Sequence, residues 1–139
     1  MILLDTNVLS ALMKDVPETA VVQWLDAQPP DSVWTTTITI SEIRFGLALL
    51  PPSRRRERLE AALGSATTSV LGGRVLAFDQ QAAAAAAAMA AESRLCGRTV
   101  DIRDVQIAGI ASARGATLAT RNTRHFIDFG VALVDPWMT

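Results

Sequence analysis

Ile2-Leu3-Leu4 is an unbroken apolar run, and the polar trio Asp5-Thr6-Asn7 stops it at once. Continuous apolarity over so few residues marks a strand buried on both faces, the habit of parallel sheets. From Val8 the spacing changes. Val8, Leu9, Leu12 and Met13 recur at helical intervals, and Asp5 or Asn7 can cap the helix they form. A strand that feeds directly into a helix is the opening of a βαβ unit, and the same switch recurs along the chain.

Pro17 is expected to open a second helix, with Val21, Trp24 and Leu25 as its inward stripe, and Pro29-Pro30 to end it. Ser32 to Thr37 is β-prone and reads as the second strand. A third helix is expected near Ser41, ending before Pro51-Pro52, and Ser53 can cap a fourth. Gly72-Gly73 turns into a strand from Val75 to Phe78. Asp79 caps an alanine-rich fifth helix that Gly97 closes, and a sixth runs from about Ile102 to Gly115. Thr117 to Thr120 and Val131 to Val134 supply the last strands. The expected fold class is α/β: a central parallel sheet in a three-layer α/β/α sandwich, with residues 1–139 as one domain.

Composition narrows the function. Half the residues are hydrophobic and 19% are charged, so the chain is globular rather than disordered. A net charge of −1 argues against gripping nucleic acid through overall positive charge, though it leaves room for a local basic patch. Cys96 is the only cysteine, which removes a disulfide framework and a cysteine-based zinc site, and suits a reducing cytoplasm. Neither a secretory leader nor a membrane span is expected: Asp5 interrupts the first apolar run, and the Ala82–Ala91 segment is too short.

In open parallel sheets the ligand site lies beyond the carboxyl ends of the strands. Asp5 follows the first strand, Glu42 comes soon after the second, Asp104 opens the helix before the fourth, and Asn122 comes just after that strand. Three carboxylates on one sheet edge repel one another, and a divalent cation such as Mg²⁺ or Mn²⁺ is the usual remedy. Each residue also has a structural alternative. Thr39 and Glu42 can form a capping box, Asp101 and Asp104 suit a helix start, and Asn122 suits a turn.

The segments "LLDTNVLS", "ISEIRFG", "DIRDVQIAGIA" and "LATRNTRHF" occur in that order and resemble the four signature segments of PIN-domain ribonucleases. The resemblance is strongest to the VapC and FitB-like toxins of bacterial type II toxin–antitoxin systems. It implies a PIN fold with Asp5, Glu42 and Asp104 as ligands of Mg²⁺ or Mn²⁺. Asn122 stands where many relatives carry aspartate, so it would add an oxygen but no charge. Thr6 and Thr120 flank the site. The implied activity is metal-dependent hydrolysis of an RNA phosphodiester, with transfer RNA a fitting target, by a homodimeric toxin held in check by a VapB-like antitoxin. Two rival readings share the motifs: an RNA-processing PIN nuclease without an antitoxin, and a non-catalytic RNA-binding PIN module.

Residues outside the ligand set have assigned expectations. Arg44, Arg121 and Arg124 are placed to touch substrate or to pin the carboxylates through ion pairs. Arg54 to Arg58 could contact RNA phosphates but reads first as a solvated helix face balanced by Glu57 and Glu60, and His125 reads as structural or peripheral rather than as a general base. Cys96 reads as a small buried hydrophobe, and Trp24, Trp34 and Trp137 as core. Phe45, Leu49 and Leu50 could line an antitoxin groove or pack in the core. The small-residue faces of the later helices could meet across a two-fold axis.

Overall fold

The computed structural model describes residues 1–139. Strands β1 (Ile2–Leu4), β2 (Val33–Thr36), β3 (Val75–Leu76), β4 (Thr117–Ala119) and β5 (Ala132–Val134) form one sheet in the order β3-β2-β1-β4-β5. Every pairing is parallel; Ile2 and Leu3 stand opposite Val33 and Trp34 on one side and Thr117 and Leu118 on the other. The order runs outward from β1 in both directions, so the carboxyl end of β1 sits at the switch point where such sheets open a crevice.

Two helical layers cover the sheet. Helices α1 (Thr6–Leu12), α2 (Thr19–Asp26), α3 (Thr37–Leu49) and α4 (Arg54–Ser65) share one core with Leu4 and Ala119. Helices α5 (Gln80–Leu95) and α6 (Ile102–Arg114) share the other with Leu3 and Leu118. Consecutive strand residues thus feed opposite cores, and that is why the strands read as unbroken apolar runs. One small-residue face of the later helices is used within the chain, where α6 crosses α5. A side chain at Gly109 of α6 would stand 2.6 Å from the Ala82 carbonyl and 2.8 Å from the Ala86 Cβ of α5. Glycine lets these two backbones touch.

Most helix boundaries follow local chemistry. Asp5, Ser53, Asp79 and Asp101 each cap a helix through a side-chain oxygen, and Gly115 ends α6 in the left-handed conformation. Two starts differ from expectation. Helix α2 begins at Thr19, two residues after Pro17, with extended Glu18 at its N-cap; the Glu18 carboxylate goes to Lys14 and to the Trp137 indole and makes no cap bond. Helix α3 begins at Thr37, with Thr36 as its cap accepting from the Thr39 N–H at 3.1 Å. The Thr39–Glu42 capping box therefore does not form, and Glu42 lies in the second turn.

Cys96 is exposed at the end of α5, not buried as expected. There it is the C-cap residue of α5, followed by Gly97 at φ +74°. Trp24 is buried, while Trp34 and Trp137 are partly buried at the margins of the two cores. Among the arginines at the start of α4, Arg56 pairs with Glu60 and donates to the Leu50 carbonyl at the end of α3. Arg54, Arg55 and Arg58 are exposed, as a solvated face requires. Phe45 and Leu49 project from α3 at 61% and 70% exposure, so neither packs in the core.

Candidate active site

Asp5 leaves β1 with its backbone N–H still on the ladder, donating to the Ala119 carbonyl at 2.9 Å. Its side chain is 5% exposed and fully engaged. One carboxylate oxygen accepts from the Thr6 N–H at 2.8 Å, and the other accepts from the Thr120 hydroxyl at 2.7 Å and the Asn7 amide at 3.1 Å. Burial pushes the Asp5 carboxyl above the usual range, and these donors pull it part of the way back.

Asn7 binds the strand ends together. Its amide nitrogen reaches Thr120 at 3.3 Å, and its oxygen accepts from the Arg121 N–H at 3.0 Å. Thr120 also accepts from the Asn122 N–H at 3.1 Å. The loop after β4 is in this way tied to the carboxylate after β1 by side chains more than a hundred residues away in sequence.

Glu42 and Asp104 stand on the wall of a cleft of about 460 Å³ whose other sides include Asn122, Arg98, Arg103 and Arg124. Burial raises the Glu42 carboxyl most; Arg103 lowers it, and the charges of Asp5 and Asp104 raise it. Burial likewise leads for Asp104, with Asp101 and Asp5 adding to it and His125 opposing. Glu42 thus feels Asp5 and Asp104, and Asp104 feels Asp5, so the three carboxylates lie along one sheet edge. Asp101 lies at the same rim but is committed to the backbone of α6, accepting from Arg103 and Asp104 N–H groups at 2.8 and 3.4 Å.

The donor set fits a hard divalent cation, since it is all oxygen and its carboxylates repel one another. The Thr6 hydroxyl, buried and leaning toward Glu42, meets no acceptor at full hydrogen-bond distance, which leaves an oxygen free beside the same edge. No three His, Cys, Asp or Glu side chains stand as a ready-made ligand cage, so a cation would have to draw them together.

The other expected site residues divide. Arg124 lines the cleft, whereas Arg44 is exposed on α3 outside it. Arg121 also turns away: its guanidinium stacks 4.8 Å from the Trp137 ring centroid, because an aromatic face beside Glu18 holds a cation better than water alone does. His125 is closer to the site than a peripheral role implies, with Nδ1 3.3 Å from an Asp104 oxygen. Asn7, Arg98 and Arg103 escaped the sequence reading. Arg103 is adjacent to Asp104 in "DIRD" and was open to notice, but nothing local shows that Asn7 bridges two strands or that Arg98 faces a cleft.

Fold and site together define a three-layer α/β domain with an acidic centre at the carboxyl edge of its sheet. The PIN domain profile matches residues 2–131, and the chain belongs to the PIN-domain family, in the group of the VapC and FitB toxins. It is 39% identical to VapC ribonuclease Y4jK of Sinorhizobium fredii, over 99% of this chain and 98% of that protein. It is 36% identical to toxin FitB of Neisseria gonorrhoeae, over 99% of each. The crystal structure of FitAcB from Neisseria gonorrhoeae superposes with a TM-score of 0.89 at 35% identity, over the full length of both chains.

Proposed function

We propose that this chain is the endoribonuclease toxin of a toxin–antitoxin pair, using Mg²⁺ or Mn²⁺ held by Asp5, Glu42 and Asp104. The observation that carries the reading is the placement of those three carboxylates, each raised chiefly by burial, along one sheet edge beside a ligand-sized cleft, in a chain of this family. When bound, the cation supplies the positive charge that activates water and steadies the negative charge growing on an RNA phosphate.

The chain's own groups do the positioning. Thr6, Asn7 and Thr120 hold both Asp5 oxygens, so that carboxylate is fixed before anything binds. His125 steadies Asp104, and Arg103 offsets the charge of Glu42. Asn122 is exposed in the cleft and contributes an amide without adding negative charge. Hydrolysis in line puts the water oxygen on phosphorus and releases the 3′ oxygen, leaving 5′-phosphate and 3′-hydroxyl ends.

The antitoxin part of the reading draws on a second hollow. A groove of about 310 Å³ between α1, α3 and α4 is lined by Met13, Ile43, Leu47, Leu50 and Leu59, with Lys14 at its edge. Glu42 borders both this groove and the cleft, so an apolar arm laid in the groove reaches the acidic edge. Phe45 and Leu49 extend apolar surface along the same helix. The proposal includes a homodimer and a cytoplasmic setting, and no helix is long and apolar enough to cross a membrane.

The test is cleavage of an RNA panel that includes transfer RNA, with Mg²⁺ or Mn²⁺, beside a chelator control and an Asp104→Asn variant. Wild-type cleavage should vanish with chelator and fall by more than about a hundredfold in the variant, the scale of one lost electrostatic contact at a hydrolytic centre. Equal cleavage by both proteins would remove the carboxylates from the chemistry.

A further inference from the structure

RNA is a polyanion, and the cleft that would receive it carries four carboxylates: Glu42, Asp101, Asp104 and Asp128. A cation held by Asp5, Glu42 and Asp104 answers one phosphate only. The neighbouring phosphates need their own partners, and with a net charge of −1 the chain offers no overall positive field to attract them, so the partners must be local.

Three arginines line the cleft, and they are not equally free. Arg103 is occupied: its Nε lies 3.5 Å from Asp101, and it faces Glu42 as well. Arg124 sits in the exposed turn Thr123–His125, and no carboxylate lies within ion-pair distance of it. Arg98 has only Asp128, at 3.7 Å, beyond hydrogen-bond range. Its Nε is shut off from solvent and has no acceptor, although the side chain as a whole is 37% exposed. The exposed part of the guanidinium, which makes no hydrogen bond within the chain, is the part an oxygen entering the cleft can meet.

Arg98 is also firmly mounted. Its backbone N–H donates to the Ser93 carbonyl at 2.8 Å and that of Gly97 to Arg94 at 3.0 Å, with Gly97 at φ +74°. These are the two bonds of a Schellman cap on α5, so the arginine leaves from a rigid helix end.

We propose that Arg98 and Arg124 form a phosphate-binding subsite on the cleft wall, holding the RNA backbone beside the phosphate that is cut. The inference rests on the nuclease reading above. It places the substrate grip in residues other than Arg44 and Arg121, and it makes Asp128 an internal competitor that occupies Arg98 until RNA arrives.

The test is binding of a short, mixed-sequence single-stranded RNA, followed by fluorescence anisotropy across a KCl series. The full chain carries Asp104→Asn throughout so that nothing is cut. Each phosphate contact removed should lower the slope of log K against log salt by about 0.7, so Arg98→Gln with Arg124→Gln should lower it by about 1.4. Arg98→Lys should keep the slope while loosening the complex, because charge survives and the planar fork does not. Asp128→Asn should tighten binding about two- to fivefold, the size of an exposed ion pair relieved. Arg55→Gln, on the far α4 face, should change nothing.

An unchanged slope in the double variant, with every protein melting as the parent does, overturns the subsite. Should Arg98→Gln fail to fold, Arg124→Gln and Asp128→Asn still decide. A parent that binds no RNA at all overturns the nuclease reading, and the subsite with it, which is a different result from RNA bound without regard to these arginines.

Discussion

Thr120→Val isolates the hydroxyl that joins the two strand ends at the acidic edge. Threonine and valine have the same shape, so the core keeps its volume and only three hydrogen bonds change. The hydroxyl donates to the Asp5 carboxylate at 2.7 Å and accepts from the Asn122 N–H at 3.1 Å and the Asn7 amide at 3.3 Å. A bond to a charged group contributes about 1.5–3 kcal/mol, and leaving Asp5 short of a donor while buried adds to that. The Asn122 N–H is near the surface and can turn to water, so its loss adds little. The expected cost is about 2–4 kcal/mol near neutral pH, or roughly 8–16 °C in Tm at about 4 °C per kcal/mol for a domain of this size.

The pH dependence is part of the same prediction. The Asp5 carboxyl is already held above its ordinary range, and removing a donor raises it further in the fold but not in the unfolded chain. The folded variant then binds its proton more tightly than the folded wild type. Its deficit is greatest where Asp5 is ionised and shrinks as pH falls through the raised value, since a protonated Asp5 no longer needs the donor. Urea unfolding near neutrality and again in acid measures both parts, with Thr120→Ser as the control that keeps the hydroxyl and loses one methyl. Equal losses for valine and serine, or a valine deficit that grows in acid, would show that Thr120 acts through packing and not through Asp5.

Asp104→Asn is expected to raise the Tm of metal-free protein by a few degrees. Asp5, Glu42 and Asp104 all titrate above their ordinary values in the fold, so wild-type stability falls as pH rises from the unfolded carboxylate range through those raised values. Removing one charge should flatten that fall, and added Mg²⁺ should stabilise wild type more than the variant; thermal melts in chelator and in Mg²⁺ across pH check both. Gly109→Ala should cost about 1–3 kcal/mol by forcing α5 and α6 apart, despite alanine's better helix propensity. The added Cβ would stand 2.6 Å from the Ala82 carbonyl. A urea midpoint at or above that of wild type would mean the helices have slack at this crossing.

What sequence determined by itself lies within a few residues of each feature. The caps at Ser53, Asp79 and Asp101 and the glycine after α6 are settled by hydrogen bonds between near neighbours, and the apolar run before Asp5 shows by its own pattern that both its faces are buried. A carboxylate at the exit of a buried parallel strand was legible for the same reason. Where two local caps competed, the reading failed: Thr36 and Thr39 are three residues apart, and only the end of β2 selects Thr36 and moves Glu42 into the second turn.

Tertiary structure alone decided where the long polar side chains go. Arg121 lies over Trp137, His125 reaches Asp104, Asn7 bridges β1 to β4, and Arg98 faces the cleft. A backbone N–H finds its partner a turn away, but an exposed guanidinium has many rotamers and takes whichever aromatic face or carboxylate the fold brings within reach. Those partners come from distant segments, so the order of the chain shows which residues stand near the sheet edge, and only packing decides which polar groups meet there.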